Sequence, residues 1–155
     1  MNSELEKTVQ RLADIEDIKQ LKARYASACD EDYNPEKLAP LFTEDAIWDG
    51  GALGFAEGRE GIREFFAAAS SQVAFAVHQI SNPLIEIDGD TATGQWFLWQ
   101  PMVFQGQALW LSAVYHDQYV RRGGKWLYQH LKLNIRMLTP FEDGPAKTLI
   151  ADVGA

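Results

Sequence analysis

Cysteine is nearly absent. Cys29 stands alone in 155 residues, which excludes an internal disulfide and any Cys-based zinc finger and fits a reducing compartment. Basic charge is also scarce: 14 Lys and Arg against 22 Asp and Glu leave a formal net charge of −8. That balance argues against nucleic acid or an anionic membrane surface as partner. Apolar runs are short, Val73–Val77 being typical, so none approaches the roughly 20 residues that cross a bilayer. The polar start Met1–Gln10 has no apolar h-region, so no signal peptide is expected and the chain reads as cytoplasmic. Nucleotide motifs are missing: Gly50-Gly51-Ala52-Leu53-Gly54 is not followed by Lys-Ser/Thr, and no G-x-G-x-x-G opens a helix. There is no G-x-S-x-G for a serine nucleophile, and no H-x-H or H-E-x-x-H spacing, so a metal is not expected.

What is present is apolar and aromatic. Hydrophobic residues make up 46% of the chain and aromatics 12%, with five Trp, five Tyr and eight Phe. The length suits one domain spanning 1–155, and chains of this size bury roughly 68–70% of their unfolded surface without a staple. That many aromatics suggests that some line a cavity as well as filling a core, so a small hydrophobic or aromatic ligand is the expected partner.

Leu5, Val9, Leu12, Ile15, Ile18, Leu21 and Tyr25 recur at steps of three and four, which predicts one long amphipathic helix ending near Ala28 or Asp30. Tyr33-Asn34-Pro35 breaks it, and Pro35 opens a short second helix through Leu41 and Phe42. Thr43–Trp48 reads as a short strand, a Gly-rich loop follows, and Arg59–Ser70 reads as a third helix. From Val73 the pattern turns to four β-rich stretches, Val73–Ile87, Thr91–Gln105, Gln107–Arg122 and Lys125–Leu138, separated by turn signals such as Asp88-Gly89-Asp90 and Gly123-Gly124. Pro83 and Pro101 mark edges or bulges within them. The core is expected over about 5–140, with a tail 141–155 that is either an ordered cover or a loose end. Helices first and a long antiparallel meander second predict an α+β fold in which a curved sheet wraps the first helix and leaves a cone-shaped pocket.

Ionisable residues at the junction of helix and sheet are the candidates for chemistry. Asp30 lies at the helix end in Asp30-Glu31-Asp32, where the helix dipole disfavours a carboxylate; it is either part of a solvated acidic cluster or turned inward to hold a histidine. His78 is the one histidine flanked by an apolar stretch, Ala74–Val77. It is either a buried neutral imidazole or, fixed by a carboxylate on one ring nitrogen, a base with the other nitrogen free. Alternation leaves the faces of His116 and His130 open. Cys29 lacks a cationic neighbour and reads as a core residue.

Taken together, Ile15–Tyr25 through Asp30, Leu41–Ala46, Gly58–Ile62, His78 with Asn82-Pro83, Thr91–Trp96, Tyr115–Tyr119 and Gly124–Trp126 resemble the SnoaL-like branch of the nuclear-transport-factor-two-like superfamily over nearly the whole chain. Within that branch the chain is most similar to the group holding scytalone dehydratase, bile-acid 7α-dehydratase and hexachlorocyclohexane dehydrochlorinase, which are cofactor-free lyases with an Asp-His dyad in the cone. The resemblance puts Asp30 and His78 on the dyad positions, 78 − 30 = 48 residues apart. It puts Tyr25 on the helix tyrosine beside the dyad and Trp48 on a cavity tryptophan. It also shows two departures: Gln100 stands where the bile-acid enzyme has a second aspartate, and Leu131 where the dehydrochlorinase has an arginine. The implied function is a cofactor-independent dehydratase-like lyase on a small apolar ring compound. His78 would be the base, Asp30 its orienting partner and Tyr25 the group on the departing oxygen. Trp96, Leu98 and Gln100, which share one strand face by period two, would shape the pocket with Trp48. A ketosteroid-isomerase-like enzyme and a non-catalytic ligand-binding protein are the alternatives. Relatives of this kind imply a homo-oligomer, with a trimer favoured over a dimer.

Overall fold

The computed structural model describes residues 2–154. Helix α1 spans Ser3–Asp30; Asn2 caps it by accepting the Glu4 amide at 3.2 Å, with Glu4 and Glu6 complementing the dipole in the first turn. The chain then reverses through Asp32 and Tyr33, both in the left-handed region at φ 53° and 51°. Helix α2 is Pro35–Leu38, opened by Pro35 and capped by Asn34, and a 3-10 turn over Ala39–Leu41 leads into β1, Phe42–Asp49. Strand β2 is Phe55–Glu57 and helix α3 is Gly58–Ala69.

Five further strands follow: β3 Val73–Ala76, β4 Gln79–Asp88, β5 Thr91–Phe104, β6 Gln107–Arg122 and β7 Lys125–Pro140. They form one seven-stranded sheet in the order β2-β1-β7-β6-β5-β3, with β4 beside β3 on the same edge of β5. All pairs are antiparallel except β1 with β7, so the curved sheet is mixed where the pattern predicted only antiparallel pairing. The β6–β7 hairpin closes through Gly123 and Gly124, at φ 57° and 77°. That two-residue loop needs positive φ at both positions, which glycine adopts without strain.

The expected single strand Val73–Ile87 is two strands, broken at Val77 and His78. Pro101 lies opposite the break, where Ala76 pairs with Met102 and Gln79 with Trp99. Val77 still donates to the Pro101 carbonyl at 3.2 Å, but proline has no N–H to return, so the ladder loses a bond there. Farther along β4 the register slips between Ser81 and Leu84, around Asn82 at φ 56° and Pro83.

The concave face of the sheet holds the core. Ile18, Leu21, Tyr25 and Cys29 of α1 pack against alternate residues of β5, β6 and β7 such as Leu98, Tyr115 and Leu131. Leu5, Val9 and Leu12 continue the apolar stripe of α1 but stay more than half exposed, at 52%, 54% and 58%; this end of the helix overhangs the sheet. After β7 the chain folds back on it: the Leu138 amide donates to the Leu149 carbonyl at 2.9 Å and the Ala151 amide to the Leu138 carbonyl at 2.6 Å. No helix among the described residues is long and apolar enough to cross a membrane.

Candidate active site

The last residue of α1 and the break in the edge strand meet. Asp30 Oδ1 lies 2.7 Å from His78 Nδ1 and also accepts the His78 backbone amide at 2.9 Å. Both contacts follow from the strand break. His78 sits opposite Gln100 at a position whose N–H points away from β5, toward the unpaired side of the edge, and the helix end supplies the missing acceptor. A carboxylate only accepts, so the contact at Nδ1 is one in which the ring nitrogen donates, and Nε2 is the nitrogen not engaged by Asp30. The imidazole side chain is 4% exposed and Asp30 33%: the ring is inside and its carboxylate faces out.

Behind the ring is a cavity of about 240 Å³ enclosed by α1, β1, α3 and the far half of β5. Its wall is aromatic, with Trp48 against Phe65 at 4.6 Å between ring centroids and Phe66 stacked on Tyr33 at 5.9 Å. The lining residues that carry a polar group are His78, Gln72, Gln100, Trp48, Tyr25, Tyr33 and Tyr115. Among the described residues no Asp, Glu, Lys or Arg lines it.

Tyr25, Trp48 and Gln100 therefore line the same cavity as His78. The Tyr25 hydroxyl accepts Trp48 Nε1–H at 3.0 Å, and burial pushes its pKa well above the usual phenol value. Gly50 lets the Trp48 ring lie flat against the backbone, since a Cβ there would fall 2.6 Å from Cζ3. Trp96 and Leu98 are a correction. They share the inward face of β5 with Gln100, but they do not line the cavity, which begins only at Gln100, Met102 and Phe104. Nearer the closed end α1 lies directly on the sheet, leaving Leu98 at 2% and Trp96 at 5% exposure, with the Trp96 indole donating to Tyr119 at 2.9 Å. Leu131 is fully buried, and His116 and His130 lie beside Glu86 and Lys132 in a shallow groove away from the cavity.

Two features escaped the sequence reading. Lys22 and Asp117 form a fully buried ion pair at 2.7 Å, with the ammonium 3.4 Å from the centre of the Tyr115 ring and the carboxylate accepting the Tyr119 hydroxyl at 2.8 Å. Burial pulls the Lys22 pKa down and pushes that of Asp117 up. A signal was available. Lys22 falls four residues after Ile18 and three before Tyr25 on the inward stripe, and Asp117 falls between Tyr115 and Tyr119 on an inward strand face. The other is Tyr33, 9% exposed and packed edge-on to His78 at 5.7 Å. The sequence presents it only as part of a helix break, and nothing local announces that the left-handed turn swings it back over the cavity. Among the described residues no three His, Cys, Asp or Glu side chains gather in a group able to hold a metal.

A family model described as a SnoaL-like domain matches residues 10–132. The chain belongs to the SnoaL-like family. An uncharacterized protein of Mycobacterium tuberculosis is 32% identical over 123 residues, covering 77% of this chain and 83% of that relative. Among solved structures, a hexachlorocyclohexane dehydrochlorinase superposes with a TM-score of 0.80 at 23% identity, over 96% of this chain and 99% of that one. A candidate scytalone dehydratase from Novosphingobium aromaticivorans superposes with a TM-score of 0.79 at 22% identity, over 86% and 91%. At these identities the structural likeness is one of fold, the α+β cone described above.

Proposed function

We propose that this SnoaL-like protein is a cofactor-independent lyase of the dehydratase kind, acting on a small, neutral, largely apolar ring compound. The observation that carries the reading is the contact of Asp30 with His78 Nδ1 at 2.7 Å, in a residue that also lines an aromatic cavity. His78 Nε2 removes a proton from a carbon activated by a neighbouring carbonyl, and the electron pair of that C–H bond becomes the new double bond as hydroxide leaves the next carbon. The departing oxygen takes the proton back from the imidazolium, so the products are water and the unsaturated ring compound. Asp30 holds the tautomer and stabilises the imidazolium, worth most in a cavity from which water is displaced. Tyr25 braces Trp48 at the cavity wall and faces the substrate.

The cavity of about 240 Å³ lies below the roughly 300–1,000 Å³ of sites for drug-sized ligands, which favours one- or two-ring substrates. The ketosteroid-isomerase-like alternative needs a carboxylate free to act as base, and the engagement of Asp30 with His78 speaks against it. A homo-oligomer, three subunits before two, belongs to the same reading. Phe97 and Trp99, 41% and 37% exposed on the outer face of β5, support it.

The test is a panel of cyclic β-hydroxyketones followed by the ultraviolet absorbance of the conjugated product. Turnover by the wild-type chain and a loss of roughly 10²–10⁴-fold in His78→Ala are expected. No turnover anywhere in the panel, or equal turnover in the variant, rejects the reading.

A further inference from the structure

The cavity holds a second polar element, opposite in character to the base. Gln100 Nε2 has two hydrogens and both are used: one points to the Tyr33 hydroxyl oxygen at 3.3 Å, the other to the Met102 sulfur at 3.3 Å. The sulfur accepts and never donates, which fixes the amide with its nitrogen on that side. Gln100 Oε1 is then what the side chain offers to the cavity. Tyr33 is in the complementary state. Its oxygen accepts from Gln100, and its O–H donates to no acceptor among the described residues. Burial raises its pKa, so the hydroxyl keeps its hydrogen. The Tyr25 hydroxyl instead accepts from the Trp48 indole at 3.0 Å.

Tyr33 is also held in place. Its backbone is in the left-handed region at φ 51°, its amide bonds Cys29 at 3.0 Å, the next amide bonds Ala28 at 3.0 Å, and its ring stacks on Phe66. A non-glycine residue in that region costs energy and persists only where its surroundings fix it.

We propose that the Tyr33 hydroxyl and Gln100 Oε1 form a donor–acceptor pair that recognises an oxygen substituent on the ligand ring, one able to accept from Tyr33 and donate to Gln100, such as an enol or phenol hydroxyl. The inference takes the cavity as the binding site, as in the lyase reading, and there makes Tyr33 rather than Tyr25 the donor to the substrate oxygen.

The test reads binding and no turnover. Affinities of naphthalene, 2-methoxynaphthalene and 2-naphthol are measured by equilibrium dialysis for the wild-type chain, Tyr33→Phe, Gln100→Leu and Tyr25→Phe. The expected wild-type order is 2-naphthol, then 2-methoxynaphthalene, then naphthalene, each hydrogen bond contributing roughly three- to tenfold. Tyr33→Phe should abolish the preference for 2-methoxynaphthalene over naphthalene and cut that for 2-naphthol by roughly three- to tenfold, while naphthalene affinity stays within about twofold. Gln100→Leu should remove chiefly the preference of 2-naphthol over its methyl ether, and Tyr25→Phe should leave the ranking intact. If Tyr33→Phe keeps the wild-type ranking, or lowers all three affinities alike, the pair does not recognise oxygen and Tyr33 is a packing residue. A protein that turns nothing over but shows the ranking sinks the lyase reading and leaves this one standing; turnover without the ranking does the reverse.

Discussion

One oxygen of Asp30 holds His78 twice: Oδ1 accepts the ring Nδ1–H at 2.7 Å and the backbone N–H at 2.9 Å. The amide of asparagine can accept both bonds through its own Oδ1 but carries no charge. Asp30→Asn should therefore melt within a few degrees of the wild type while turnover of a dehydratable substrate falls substantially. Asp30→Ala removes the acceptor, and imidazole ¹⁵N spectra should then lose the Nδ1–H tautomer that the wild type and Asp30→Asn share. A mixture of tautomers in the wild-type spectrum counts against the dyad.

The Lys22–Asp117 pair is fully buried at 2.7 Å. Lys22→Met leaves a carboxylate uncompensated in the core, which should destabilise the fold by about 3–5 kcal/mol in urea unfolding. Adding Asp117→Asn removes the stranded charge and keeps an acceptor for Tyr119, so the double variant should recover more than half of that loss. A Lys22→Met chain as stable as the wild type contradicts the account.

Gly50 makes room for Trp48. A methyl group at position 50 would overlap the indole at Cη2 and Cζ3 and must tilt the ring out of its place in the cavity wall. Gly50→Ala should cost about 1–3 kcal/mol of stability, shift the tryptophan emission, and weaken naphthalene binding by more than the stability change alone explains. Unchanged emission and affinity show that the ring has room.

Acid should weaken the fold in a defined direction. Hydrogen bonds and charge from Lys37 hold Glu31 below the ordinary value of 4.5, and the bond from Arg63 does the same for Glu36. Gln129 and Thr43 hold Asp45 below 3.8, and Lys147 with Thr148 does so for Asp143. Groups with depressed folded values contribute stability above their unfolded values and lose it as pH falls through the folded ones. The urea midpoint should hold from pH 6 to about 5 and decline below it, and Glu36→Gln should make that decline shallower. The buried Asp117 works in the opposite sense, because its raised folded value lets the native state take up its proton first. A midpoint that rises on acidification means that this group outweighs the other four.

The elements themselves were legible. Three-four spacing placed α1, Pro35 opened α2, and alternation with Gly-rich turns placed β5, β6 and β7 close to their observed ends, because these signals depend on neighbours a few residues apart. The seven-residue stripe of α1 was legible too, but its burial was not: Leu5, Val9 and Leu12 have the right spacing and lack a sheet beneath them.

The site divides in the same way. The sequence by itself determined which residues share a face: Trp96, Leu98 and Gln100 alternate inward on β5, and Lys22 lies on the stripe of α1, because side-chain direction follows from local backbone period. Tertiary structure decided which of them meet a cavity and which a wall. Gln100 opens onto space beside His78, whereas Leu98 and Trp96, two and four residues earlier, lie where the helix rests on the sheet. It also joined Asp30 to His78 across 48 residues, through a strand break whose cause, Pro101, lies on a different strand. Contacts of that kind depend on how separate elements pack, and no spacing within one segment encodes them.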